Sequence, residues 1–403
     1  MCSSDLATVF IRKVIRRLNA RLEAEGESLL RTGVDESPSP KERRWLTWPD
    51  RRGNWGALSP GSLLDPLNRV VRFHGRSKEV ELPLLTGWCQ ADMPWSFKAY
   101  AAFGGVGKTR LAVELCRTLA QKHGWEAGFL DPKNSEPITL GEEGDGKGAK
   151  PLLIVVDYAG DVRKVPLLRT LIVQLPTCRR PKVRLLMLER DTLWLGRLRG
   201  NRAVDAVLEA GQSHDSDLNL ALQPVVSTSA ERINSYRIAA TAFKTAIYGG
   251  SRKPGLRDGP SDPKSSIYKQ ILFLHAQALE RVSGGTDGRR RVTILRQLLD
   301  REREYWRRMM PTRGIPDYLR NGIEAAVVAL GKANGTGSVQ DAVTLLRKVS
   351  PLRDQPRAMV EQVALLLREV YPDAGVGIAP LQPDPLHQCL ADEWLKISPL
   401  GKA

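Results

Sequence analysis

Hydrophobic positions change their spacing along this chain, and the change divides it. Three short, mainly apolar runs occupy residues 97–101, 151–157 and 183–188, each bounded by glycine, proline or charge. Runs this short between such signals read as buried strands of a parallel sheet. Beyond Leu198 apolar residues recur every three or four positions instead. Residues 229–248, 267–282 and 292–310 have this helical spacing, and 317–330, 339–349 and 357–370 continue it. Residues 249–264, rich in Gly, Pro, Ser and charge, read as a linker; 136–150, rich in acids and glycine, read as an exposed loop. The pattern predicts an α/β core with a parallel sheet, followed by an all-helical region.

Between the first strand and a helical pattern at 110–120 stands Ala102-Phe103-Gly104-Gly105-Val106-Gly107-Lys108-Thr109. Strand, glycine-rich turn and helix together make the context of a phosphate-binding P-loop. Gly104, Gly105 and Gly107 free the backbone to curl with its N–H groups inward, and the helix beginning near Lys108 adds its positive end. Lys108 is placed to reach β- and γ-phosphates, and the Thr109 hydroxyl to take a position on Mg²⁺. The bland alternative is a glycine-rich loop with a chance Lys-Thr. The flanking strand and helix favour phosphate. One departure is Ala102, where the pattern opens with glycine.

The second strand ends in Asp157, in the crevice where open α/β sheets bind ligands, which suits the Walker B acid that holds Mg²⁺ through water. Taken alone, it could equally be a strand-end Asp starting a turn. The third strand runs into Glu189-Arg190, and Arg190 is a candidate γ-phosphate sensor, the alternative being a solvated strand end. Lys108, Asp157 and Arg190 thus form the candidate catalytic set. After Asp157 comes Tyr158-Ala159-Gly160-Asp161, so no acid stands next in the chain to polarise water. Asp161, Glu189 or a group outside the core must serve, or turnover is slow. That fits a nucleotide switch better than a fast motor.

Four stretches together resemble bacterial STAND NTPases, signal-transducing P-loop ATPases related to NB-ARC and AAA+ proteins. They are Val71-Arg-Phe-His-Gly-Arg-Ser-Lys-Glu79, residues 104–112, Gly124-Trp-Glu-Ala-Gly-Phe-Leu130 and Val155-Val-Asp-Tyr-Ala159. Tyr305-Trp306 and Ile378-Ala-Pro-Leu-Gln-Pro-Asp384 extend the likeness over roughly residues 68–395, loosely after the first third. The resemblance implies ATP or ADP held between the core and a helical lid, with exchange or hydrolysis switching closed and open states. It implies that Phe73, Gly75 and Arg76 lie against adenine and ribose. Gly104, Gly105, Val106, Gly107, Lys108, Thr109 and Arg110 would then hold the phosphates, with Thr109 and Asp157 at the metal. Self-association in the ATP state is the partner it implies. Ala102, and Gly160 where an acid is common, depart from the family.

The chain's 403 residues suit two or three domains, and a 42% hydrophobic content suits an ordinary core. The expected division is a basic helix and linker at 1–67, the P-loop core at 68–200, the helical lid region at 201–340 and a helical or winged-helix-like unit at 341–403. No apolar run reaches the ~18–20 residues that span a bilayer, and no signal peptide opens the chain. Five scattered cysteines show neither metal-ligand spacing nor a disulfide framework, so a reducing cytoplasm is expected. Cys116, on the apolar face of the P-loop helix, reads as a small core residue.

A net charge of +16 raises nucleic-acid binding, but the basic residues are dispersed. At 301–308, arginines alternate with Glu302 and Glu304 as on a solvated helix face. With no basic motif interleaved by aromatics, direct nucleic-acid binding has no sequence support. Met1 to Leu6 read as foreign to the rest of the chain, which puts the expected native start upstream and sensor and effector domains outside this chain. His275 and His387 are candidates for a lid histidine that senses nucleotide, against the commoner structural role. The principal reading is an ATP-driven signalling switch. The alternatives are an ATP-gated DNA-binding regulator and a nucleotide-binding scaffold without turnover.

Overall fold

The computed structural model describes residues 45–48, 58–75, 81–131, 139–140, 149–249, 259–285, 290–373 and 377–397. The expected basic helix at 7–30, the foreign start, Arg76, most of the acid/glycine loop and residues 250–258 of the linker lie outside them. The chain divides into two units, Met1–Arg43 and Arg44–Ala403. The second unit holds all the described elements.

Its first half alternates strands and helices. In chain order these are β1 (Leu46–Thr47), α1 (Pro60–Leu64), α2 (Glu81–Gln90), β2 (Trp95–Ala101), α3 (Lys108–His123), β3 (Glu126–Leu130) and β4 (Leu152–Asp157). They continue with α4 (Lys164–Gln174), β5 (Val183–Glu189), α5 (Leu195–Leu198), α6 (Arg202–Ala210) and β6 (Asp217–Ala221). The strands form one sheet in the order β1-β3-β4-β5-β2-β6, parallel except where β1 pairs antiparallel with β3.

The unbroken apolar runs follow from burial on both faces. Successive side chains of a strand point to opposite faces. Leu152, Ile154 and Val156 therefore join Val183, Leu185 and Met187 under α4, α5 and α6. Leu153 and Val155 join Leu186 and Leu188 against α2 and α3, where Cys116 is fully buried. In register, Asp157 pairs with Leu188 and Ala101 with Glu189. The three strands β4, β5 and β2 hence end level, on one edge of the sheet.

The region expected to be all helical beyond residue 200 contributes an edge strand. β6 pairs parallel with β2, with its side chains alternating between exposed and half-buried. An edge strand covered on one face needs only two-residue alternation, here Asp217-Leu-Asn-Leu-Ala, and produces no apolar run.

The helical half comprises α7 (Ser229–Tyr248), α8 (Ile271–Val282), α9 (Arg291–Met309) and α10 (Arg320–Lys332). It closes with α11 (Val339–Leu346), α12 (Ser350–Arg353), α13 (Arg357–Val370) and α14 (Asp384–Ile397) around a second core. Thr228 opens α7 with a capping box completed by Glu231. Towards the C-terminus the strand-like features among the described residues are two isolated bridges, from Ile378 to Thr336 and to Pro372. Among the described residues no helix is long and apolar enough to cross a membrane.

The charged face expected on α9 is only partly solvated. Glu302 is fully buried. Ser59 Oγ donates to it at 2.8 Å, the Gly61 N–H donates to it, and the Tyr371 hydroxyl donates at 2.9 Å. Trp306 Nε1 in turn donates to the Tyr371 hydroxyl at 2.7 Å. One carboxylate thus ties α1 and the end of α13 to α9. Arg303 bridges Glu324 of α10 and Glu393 of α14, each at 3.0 Å. Helical periodicity marks a face as polar, but only the neighbouring helices decide whether that face meets water.

Burial pushes the Glu302 carboxyl up to about 7, despite three hydrogen bonds that favour its charge. The folded protein therefore holds this proton between the ordinary 4.5 and about 7, where the unfolded chain has lost it. The group's contribution to stability is present at low pH and is lost as pH rises through that window. We expect Glu302→Gln to abolish about 3 kcal/mol of this decline. Urea unfolding of both proteins from pH 4.5 to 7.5 measures it; parallel pH profiles would refute it.

Candidate nucleotide-binding site

Ala102 to Gly107 leave the end of β2 and turn into α3. Gly105 and Gly107 lie at φ +80° and +101°, left-handed values that glycine adopts without strain. Gly107 is the N-cap of α3 and provides no side-chain cap. The first N–H groups of α3 have no partner inside the helix and bring its positive end to the cleft. Lys108 Nζ folds back to donate to the carbonyls of Ala102 and, at 3.2 Å, Phe103. Burial pulls the lysine's pKa down, while the charges of Asp157 and Glu189 oppose this.

Thr109 follows on α3, and its hydroxyl donates to Asp157 Oδ2 at 2.8 Å. Asp157 Oδ1 accepts the Tyr158 N–H at 3.1 Å, and Lys164 Nζ donates to the Asp157 carbonyl. Burial raises the Asp157 pKa; Lys164 and Thr109 hold it down. Tyr158 itself sits at φ +52°, uncommon for a residue with a side chain. Its phenol is held well above the ordinary pKa by burial and by the charge of Asp384.

The other candidate acids are occupied. Glu189 accepts the N–H of Gly160 and that of Arg190, each at 2.7 Å. Asp161 is bound by Arg163 at 2.6 Å and is not among the residues lining the cleft. Arg190 does reach the cleft, where its guanidinium donates to Asp384 at 2.7 Å.

The opposite wall comes from the segment before β2 and from the helical half. The Leu272 N–H donates to the Gly105 carbonyl at 3.1 Å, joining the start of α8 to the glycine loop. His74 Nδ1 donates to the Arg72 carbonyl at 2.9 Å, so its Nε2 accepts from the Ser235 hydroxyl at 2.7 Å. Ser235 Oγ then accepts from His275 Nε2 at 3.4 Å. Burial lowers both histidines, His275 to about 3, so the chain of bonds is neutral at physiological pH. Phe73 lies 6.0 Å from the Arg110 guanidinium, which pairs with Glu114 at 3.0 Å.

These walls enclose a cleft with about 1160 Å³ of empty space, its open mouth included. Phe73, Gly104, Gly105, Gly107, Lys108, Thr109, Arg110, Asp157 and Arg190 line it together. Two other predicted residues do not. Val106 turns its side chain into the core between the sheet and α3, and Gly75, at φ +79°, packs against Val225. Of the two histidines weighed, His275 lines the cleft. His387 packs against Gly331 and bonds the Val328 carbonyl at 3.4 Å. Val225, Ile271 and Leu272 also line it with no motif to announce them, and so do Pro383 and Asp384, from the end of the stretch quoted for the resemblance but given no site role there. Among the described residues no group of three or more His, Cys, Asp or Glu is arranged to hold a metal by itself.

No protein-family model matches the sequence, and no curated protein matches it either. Among solved structures the chain is similar to Cdc6p from Pyrobaculum aerophilum, at 12% identity and a TM-score of 0.36, over 81% of this chain and 96% of that one. The Aeropyrum pernix Orc1 protein in complex with DNA matches at 13% identity and 0.35, over 82% and 96%. PCH-2 of C. elegans matches at 12% identity and 0.28, over 59% and 70%. Likenesses this loose carry no argument about function.

A methyl group on Gly105 would lie 2.9 Å from Leu272 Cβ, on a left-handed backbone. Gly105→Ala is therefore expected to cost about 1–3 kcal/mol and to part the loop from α8. Chemical denaturation measures the loss, and wild-type stability would show that loop and helix do not meet this way.

Proposed function

We propose that this chain is an ATP-binding signalling switch of the STAND type, using Mg-ATP binding and slow hydrolysis to change conformation and association. The observation that carries the proposal is the Thr109–Asp157 hydrogen bond at the head of an uncapped helix, with Lys108 beside it. A hydroxyl and a half-buried carboxylate in contact are the pair that Mg²⁺ takes over, with phosphate oxygens and water filling its remaining positions. The ion would neutralise charge on the β- and γ-phosphates.

The residues divide the work. Backbone N–H groups of the loop and of α3 hold the phosphates, and Lys108 turns from Ala102 towards them. Arg190 meets the terminal phosphate. His74, His275 and Phe73 surround the base, which is adenine in this reading. The cell compartment it implies is the cytoplasm. Association between copies in the ATP state belongs to the same proposal, with sensor and effector supplied from outside this chain.

Slow chemistry is favoured by the state of the acids. Both Glu189 oxygens already accept backbone N–H groups, Asp161 is taken by Arg163, and Tyr158 offers no carboxylate. The same observation supports a second reading, a nucleotide-binding scaffold without turnover.

Titration with a fluorescent ATP analogue should show binding that Lys108→Ala abolishes. Asp157→Asn should weaken binding in Mg²⁺ far more than binding in EDTA, since the loop N–H groups need no metal. Turnover should fall far below the ~1–100 s⁻¹ of kinases. Equal affinity in Lys108→Ala would sink the site, and kinase-like turnover would sink the switch.

A further inference from the structure

We infer that Asp384 is an internal stand-in for the γ-phosphate, and that it sets the site's discrimination between nucleoside diphosphate and triphosphate. The inference rests on the proposed nucleotide site and deepens it. Gln382 to Pro385 form one wall of the cleft, although they lie far down the chain from the loop they face. A Cβ built on Gly104 would stand 4.0 Å from both Arg190 Nε and Pro385 Cγ, so the C-terminal segment and Arg190 converge on the phosphate loop. There the Asp384 carboxylate takes the Arg190 guanidinium at 2.7 Å, and its charge helps to hold the Tyr158 phenol protonated. An anion thus occupies the cationic corner that a terminal phosphate needs.

Two anions cannot share that corner. A triphosphate must expel Asp384 to reach Arg190, while a diphosphate ends short of it and leaves the pair closed. The pair is displaceable, because the arginine side chain is 49% exposed and the carboxylate 25%, and ion pairs that wet are weak. Expulsion has a route outward. Asp384 is the first residue of α14, whose Leu386 and Leu390 are buried in the helical core and whose Glu393 is held by Arg303 and Arg296. Exchanging a carboxylate for a phosphate on Arg190 therefore pulls on the helix that closes the helical half.

The test compares fluorescent ADP and a non-hydrolysable ATP analogue, with Mg²⁺, on wild type, Asp384→Asn and Asp384→Glu. Asp384→Asn should raise the ratio of triphosphate to diphosphate affinity about tenfold, the scale of one charge-assisted contact. Diphosphate affinity should stay near wild type, and Asp384→Glu should keep the wild-type ratio. Hydrogen exchange on the wild type gives a reading independent of any variant's folding. The triphosphate, but not the diphosphate, should speed exchange along residues 384–397. An unchanged ratio in Asp384→Asn, or equal exchange with both nucleotides, would overturn the inference while leaving a Lys108-dependent site intact. Failure of the wild type to bind either nucleotide would overturn the site itself, and the inference with it.

Discussion

The head of α3 carries backbone N–H groups that no residue of the helix can satisfy, and the molecule is organised around that deficit. A side-chain cap is the ordinary remedy. Here the cap position is Gly107, which has none to offer, and the helix instead faces a cleft. Lys108 rests on the carbonyls of the turn, and Thr109 rests on Asp157. Because β4, β5 and β2 end level, Asp157, Arg190 and the loop arrive at one edge together. Lys164, buried beside Asp157, keeps that carboxylate from standing as an uncompensated charge.

The helical half is fastened to this edge at several points of different chemistry. Leu272 bonds the loop through the backbone, and the closeness of α8 to Gly105 depends on a residue without a side chain. His74, Ser235 and His275 form a neutral polar thread between the segment before β2 and helices α7 and α8. Farther away, Glu302 binds α1 through Ser59 and Gly61, and so fixes the start of the segment that lines the cleft. A buried carboxylate is a costly way to make such a joint. It does specify which chain segment is held and at what angle, as an apolar contact would not.

These attachments bear on rate as well as shape. Hydrolysis requires an acceptor that orients water; at the cleft Glu189 already accepts the N–H groups of Gly160 and Arg190, while Asp161, held by Arg163, does not line it. Arg190, at the same edge, takes a carboxylate partner from the far end of the chain, and both side chains are partly exposed.

The sequence by itself determined the parts whose requirements are local. Gly105 and Gly107 were legible because a left-handed turn into a helix needs glycine at those places, and Lys108-Thr109 because they follow that turn directly. The central strands were legible because burial on both faces demands unbroken apolar runs, as at Leu152 to Val156. β6 was not, since an edge strand covered on one face leaves only a brief alternation. Val106 sits inside the same motif as its neighbours, yet its side chain belongs to the core, since spacing alone does not say which way a loop residue turns. Only the tertiary structure decided that Glu302 is buried on an otherwise charged helix, that His275 rather than His387 reaches the cleft, and that Asp384 meets Arg190 across 194 residues. The reason is that a side chain's neighbours depend on how whole elements pack. Charge, polarity and helical period read the same on a solvated face and on one that another helix covers.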